Sequence, residues 1–188
     1  MVHSEEAVEK VFSTFRERGH QEYHGEPVSQ LEHAVQSAEL AKRGHPNDPD
    51  FIVAAFLHDF GHLCVTEAGD MGGYGTWDHE EVGAKTLQAW GFPEKITRLI
   101  ANHVNAKRYL VSTDPLYFEE LSPASKITLT KQGGLLSLEE QRDFELDPLF
   151  DLHIALRRLD EQAKIENQPM HDLTWLKDLM RERLSVNQ

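Results

Sequence analysis

The apolar run Ala54-Ala55-Phe56-Leu57 ends on His58-Asp59, and Phe60-Gly61-His62 follows. Two strong metal ligands therefore sit side by side at the end of a segment that a folded chain must bury. An imidazole and a carboxylate buried without a charged partner are costly, so the fold has to bring something charged to them. Matching groups lie elsewhere in the chain: His33 upstream, and His79, His103 and Asp160 downstream. Four imidazoles and two carboxylates exceed what one ion takes from a protein and suit two adjacent ions, with Asp59 able to bridge them. Mixed nitrogen and oxygen ligation suits iron, manganese or zinc.

The surrounding pattern is helical. Val8, Val11, Phe12 and Phe15 mark one face of a helix over about Glu5 to Arg18. A second helix runs from Ser29 to Arg43 and stops at Gly44, and Asp48-Pro49 opens a third that ends near His58-Asp59. Gly61 to Gly75, rich in glycine, reads as a loop. Further helices are expected from Asp78 to Trp90, from Pro93 through His103, and from Ser122-Pro123 towards Gly133-Gly134. Ser137 to Glu140 has the capping-box spacing. Asp147-Pro148 opens a long helix through Ala163, and an amphipathic helix covers Leu173 to Leu184. No strand stands out. With 188 residues and no linker or repeat, the expectation is one domain over residues 1–188. Five helices would each point a ligand inward, which is how bundle metal sites are built.

Charge and cysteine content narrow the partners. A net charge of -13 argues against nucleic acid and anionic membrane. Any anionic substrate would need a local basic cluster held against that field. The single cysteine, Cys64, the acidic N-terminus Met1-Val2-His3-Ser4-Glu5-Glu6 and the lack of a membrane-length apolar stretch suggest a cytoplasmic protein, monomeric or a small homo-oligomer. His3, His20, His45 and His171 sit in polar contexts and are assigned no role.

The order His33, His58-Asp59, His79, His103, Asp160 resembles the signature of the HD-domain superfamily, which implies an all-α HD-domain helical bundle. Most HD proteins are phosphohydrolases or phosphodiesterases, and a small branch are diiron oxygenases. Glu22-Tyr23-His24-Gly25-Glu26 before Gln30-Leu31-Glu32-His33, Met71-Gly72-Gly73-Tyr74-Gly75-Thr76-Trp77-Asp78-His79, and His103-Val104-Asn105-Ala106-Lys107-Arg108-Tyr109-Leu110 are similar to the mixed-valent diiron oxygenases of phosphonate catabolism. That resemblance implies an Fe(II)/Fe(III) pair, O2 as co-substrate, and C–P cleavage of a small organophosphonate carrying a C1 hydroxyl. The two compounds it implies are (R)-1-hydroxy-2-(trimethylammonio)ethylphosphonate, giving glycine betaine, and 2-amino-1-hydroxyethylphosphonate, giving glycine, each with phosphate.

The resemblance also distributes roles. Tyr23 would hold an open iron position until substrate arrives, and Glu26 would bond it and receive the substrate's cationic end. His62, Lys107, Ser125, Gln132 and Arg157 would line the phosphonate pocket. Lys107 lies four residues after His103 and Arg157 three before Asp160, spacings that put each on its ligand's helix face. Trp77 and Tyr74, with Asp70 and Asp78, tilt the expectation towards the trimethylammonio compound through cation–π and acidic contacts. The glycines at 72, 73 and 75 do not have a nucleotide-binding spacing. The rival reading is an HD-domain phosphohydrolase or nucleotide phosphodiesterase using the same six ligands, which needs neither Tyr23 nor Glu26 near the metals. A metal-dependent sensor is a weaker third.

Overall fold

The computed structural model describes residues 2–23, 25–64 and 76–186. Among these the chain folds into eleven helices: α1 (Val2–Arg18), α2 (Gln30–Gly44), α3 (Pro49–Leu57), α4 (Gly61–Cys64), α5 (His79–Ala89), α6 (Glu94–Thr113), α7 (Pro115–Glu120), α8 (Pro123–Lys131), α9 (Leu138–Glu145), α10 (Phe150–Gln162) and α11 (Thr174–Val186). The one extended contact among them is an isolated bridge between Glu22 and Ser29.

Local chemistry sets most boundaries. Ser29 and Glu32 cap each other reciprocally at the start of α2, and Ser137 and Glu140 do the same for α9. Asp48 accepts from Phe51 N ahead of Pro49, and Ser122 accepts from Ser125 N ahead of Pro123. All seven residues Phe51 to Leu57 of α3 are buried. Burying each large side chain contributes about 1.5–3 kcal/mol, so α3 becomes the axis of the bundle, packed against α2, α6 and α11. One apolar core extends from Ala7 in α1 to Leu184 in α11. Because α3 is central, the His58-Asp59 pair at its end emerges in the middle of the molecule.

Two segments depart from the pattern expected of the sequence. Gly61–Cys64 is a turn of helix rather than loop. A Cβ on Gly61 would lie 1.9 Å from the carbonyl oxygen of His79 and 2.8 Å from Gly83 N, so only glycine lets α4 touch the start of α5. The expected loop beyond it, with Gly69, Asp70, Gly72, Gly73, Tyr74 and Gly75, lies outside the described residues, as does His24. The second departure is α7, started by Asp114, whose side chain accepts from Leu116 N and Tyr117 N. No described helix is long and apolar enough to cross a membrane.

Candidate metal centre

Five elements deliver the six candidate ligands to one place. His33 comes from α2, His58 and Asp59 from the turn closing α3, His79 from the first position of α5, His103 from α6 and Asp160 from α10. They form two groups sharing Asp59: His33, His58, Asp59 and Asp160, and Asp59, His79 and His103, with ligand atoms in each group within 4.8 Å of one another. The shared carboxylate divides its oxygens. Asp59 Oδ1 lies 3.2 Å from Nε2 of both His79 and His103. Its Oδ2 lies 3.4 Å from His58 Nε2 and 3.7 Å from His33 Nε2. Asp160 Oδ1 closes the first group at 3.3 Å from His33 Nε2.

The orientation of the rings fits a pair of cations. His33, His58 and His103 each donate Nδ1–H to a main-chain carbonyl, of Ala163 (2.8 Å), Ala55 (2.9 Å) and Ile100 (2.7 Å). Carbonyls only accept, so Nδ1 carries the proton and Nε2 turns a lone pair inward. The inward nitrogens then face each other, His33 to His58 at 3.2 Å and His79 to His103 at 3.0 Å, and the buried Asp160 Oδ1 has no hydrogen-bond donor among the described residues. Such a donor set is satisfied by a cation between its members, or by a proton. Burial opposes charge on His58, yet the Asp59 charge and the nearness of the Asp160 and Asp59 carboxylates raise its pKa to about 10. Burial likewise opposes charge on Asp59 and Asp160, but His58 beside the first and Arg157 beside the second hold both carboxyls well below their usual range.

A cavity of about 50 Å³ opens beside the second group. All the candidate site residues except His33 and His58, which stand behind it, line its wall. The 22–29 turn, with Gly25 at φ +86°, presents Tyr23 and Glu26. Tyr23 stacks on His33 (4.0 Å between centroids, 13° between planes) and donates its hydroxyl to Asp59 Oδ2 at 2.7 Å. Burial and the charges of Asp160 and Asp59 raise the phenol's pKa well above its ordinary value, so it is a neutral donor here.

The opposite wall is cationic. Lys107 is 3% exposed and donates to Thr128 Oγ1 at 3.0 Å, and burial with the nearby Arg157 charge lowers its pKa to about 7. Arg157 is committed to Asp160 and Glu161, and donates Nε–H to Tyr117 Oη at 2.8 Å. His62 stacks on His79 at 3.9 Å and accepts Thr76 N–H on Nδ1 (3.1 Å), which leaves Nε2 carrying its proton. Ser125 reaches Glu161 at 3.4 Å, and the buried Gln132 Oε1 has no hydrogen-bond partner among the described residues.

Lys164, which lines the wall, and Glu161, which pairs with Lys164 and Arg157 beside it, are features that the sequence pattern did not signal. Lys164 donates to Glu26 at 3.0 Å and to Glu161 at 3.3 Å. It lies four residues after Asp160, the spacing that marked Lys107 after His103, but α10 ends at Gln162, so helical spacing is no guide there. Of the residues expected to favour a trimethylammonium, Trp77 is 46% exposed, Asp78 is exposed and neither lines the cavity, while Tyr74 and Asp70 lie outside the described residues.

An all-helical bundle with a central His-Asp pair and ligands from four further helices defines the HD class of metalloproteins. The HD domain family matches residues 30–129, and the chain belongs to it. It is 44% identical over 160 residues (84% of this chain, 80% of the relative) to a 1-hydroxy-2-(trimethylamino)ethylphosphonate dioxygenase (glycine-betaine-forming) of Leisingera caerulea. It is 39% identical over 170 residues (89% and 83%) to a hydroxymethylphosphonate dioxygenase of Gimesia maris. It is also 40% identical over 181 residues (95% and 82%) to an uncharacterized protein of Acanthamoeba polyphaga mimivirus.

Proposed function

We propose that this protein, a single HD-fold unit over residues 1–188, is a diiron dioxygenase that cleaves the C–P bond of a small 1-hydroxyphosphonate and releases phosphate. His33, His58, Asp59 and Asp160 would hold one iron, and Asp59, His79 and His103 the other, as a mixed-valent Fe(II)/Fe(III) pair. The bound pair supplies redox chemistry with O2 that no side chain provides.

The observation that carries this reading is the contact of Tyr23 with Asp59. A phenol stacked on one candidate ligand and bonded to the shared carboxylate, at 2.7 Å, is placed to cover the metals until substrate displaces it. A hydrolase has no use for such a cover. The buried Lys107, with His62 donating through Nε2, supports an anion-binding wall despite the chain's net charge of -13. Ser125 and Gln132 add neutral groups to that wall, and Arg157 holds Asp160 in place while contributing charge.

The substituent on C1 would face Glu26. That carboxylate supports a cationic end, as in the (R)-1-hydroxy-2-(trimethylammonio) compound or its primary-amine analogue, with glycine betaine or glycine as second product. Hydroxymethylphosphonate, for which a relative is named, is the comparison that carries no cationic substituent.

The test is to reconstitute the protein with iron, reduce it partially and follow phosphate and O2 together with the three phosphonates in turn. Phosphate formed with stoichiometric O2 uptake is the expected outcome, and the highest kcat/KM names the substrate. Phosphate released from phosphate esters without O2, and none from the phosphonates, would move the protein to the hydrolase branch.

A further inference from the structure

His79 differs from the other three imidazoles in what stands behind it. Their Nδ1 atoms meet main-chain carbonyls. His79 Nδ1 instead lies 3.4 Å from Oε2 of Glu80. Both atoms are buried, and neither has a hydrogen-bond partner among the described residues. Two buried polar atoms left alone would each be costly, and each is the other's obvious partner, donor to acceptor.

Glu80 and Glu81 both stand in the first turn of α5, where a carboxylate is favoured, but their side chains are used differently. Glu81 serves that turn in the ordinary way, with its side chain 51% exposed and paired to Lys85 at 3.0 Å. The Glu80 side chain is 15% exposed and turned to the imidazole. A carboxylate behind a ligating imidazole does more than a carbonyl. Its full charge fixes the ring with Nε2 inward and makes that nitrogen a stronger donor. The position it serves has three candidate ligands, against four for the other, so it is the one with most to gain.

We propose that Glu80 is a positioning residue for the metal held by Asp59, His79 and His103, and that through His79 it lets this position carry the higher positive charge of the pair. The proposal rests on the metal-pair reading above. Glu80 thereby makes the two positions electronically unequal from the protein side.

The test compares Glu80→Gln, Glu80→Ala and the control Glu81→Gln with the wild type. Anaerobic titration with Co(II) reads the two affinities separately, and EPR-monitored redox titration of the iron form reads the midpoint potential. Both Glu80 variants are expected to weaken the second metal about 10- to 100-fold while keeping the first, which also shows that the site has folded. Glu80→Gln is expected to shift the midpoint upward, because an anion near the more oxidised iron is gone. Glu81→Gln should match the wild type in both. Equal second-metal affinity and potential in Glu80→Gln and Glu81→Gln would overturn the role of Glu80 alone. A wild type that binds no second metal would overturn the metal-pair reading and this proposal with it.

Discussion

The Tyr23 hydroxyl donates to Asp59 Oδ2 at 2.7 Å, the oxygen that faces His33 and His58 rather than the one that faces His79 and His103. The phenol therefore bonds the side of the shared carboxylate that is turned to the first group of ligands, and its ring lies on His33. We predict that Tyr23→Phe, which keeps the ring stacked on His33 but removes the hydroxyl, raises O2 consumption of the reduced iron form in the absence of substrate. Oxygen-electrode traces of the two proteins, with and without phosphonate, measure this. Identical substrate-free uptake and unchanged turnover would remove Tyr23 from any gating role.

Asp160 links the metal site to the cationic wall, facing His33 and His58 with one oxygen and Arg157 with the other. Asp160→Ala is predicted to abolish stoichiometric metal binding and activity. It also takes one of two carboxylates from a buried guanidinium that keeps Glu161, so the metal-free protein should lose about 1–3 kcal/mol of stability. Metal content by mass spectrometry and urea unfolding of the metal-free form check the two effects. A variant that stays fully metallated would take Asp160 out of the ligand set.

How much of this was legible depended on whether the signal was local. The caps Ser29, Asp48-Pro49, Ser122-Pro123 and Ser137 to Glu140 start helices where the residue types say they should, because a cap satisfies its own first turn. Asp114-Pro115 carries the same signal and starts α7, a helix of only six residues. Gly61–Cys64 was hidden because the reason for Gly61 lies at His79, eighteen positions on. The six candidate ligands could be read from their types and order. Lys164 and Glu80 could not, since the partners that define them, Glu26 across the cavity and the outer nitrogen of His79, appear only on folding.

Gly61 gives a direct test of that long-range packing. Gly61→Ala places a methyl carbon where the His79 carbonyl stands and forces α4 and α5 apart. We predict a loss of about 1–3 kcal/mol or more in the metal-free protein, together with weaker binding of the second metal because His79 moves. Wild-type stability and metal affinity in this variant would contradict the close approach.

The metal-free site stores two opposite proton effects. His58, raised from its ordinary 6.5 to about 10, contributes stability that is fully present below pH 6.5 and lost as pH rises towards 10. Lys107, lowered from 10.5 to about 7, carries a penalty that is complete below pH 7 and lifted as pH rises towards 10.5. Between pH 7 and 10 the two slopes oppose, each at most about 1.4 kcal/mol per pH unit. We predict that these two groups leave the chelated wild type almost level across this window, whereas Lys107→Met falls with rising pH. Urea unfolding at several pH values decides it, and parallel curves for the two proteins would show that Lys107 is not held as a buried amine. Loading metal at pH 8 should likewise release the His58 proton, which calorimetry in buffers of different ionisation enthalpy detects.

Lys164 already occupies the carboxylate that a cationic substrate would seek, donating to Glu26 at 3.0 Å with each side chain 12% exposed. A trimethylammonium has no N–H with which to replace that hydrogen bond, so it must compete with Lys164 by charge alone. Hydroxymethylphosphonate leaves the pair intact. We predict that Lys164→Met raises kcat/KM for the trimethylammonio compound relative to hydroxymethylphosphonate by about tenfold or more, roughly 1.4 kcal/mol, mainly through KM. A ratio unchanged by the substitution would mean that the substituent does not reach Glu26. A ratio moved the other way would mean that Lys164 itself holds the phosphonate of the cationic substrate.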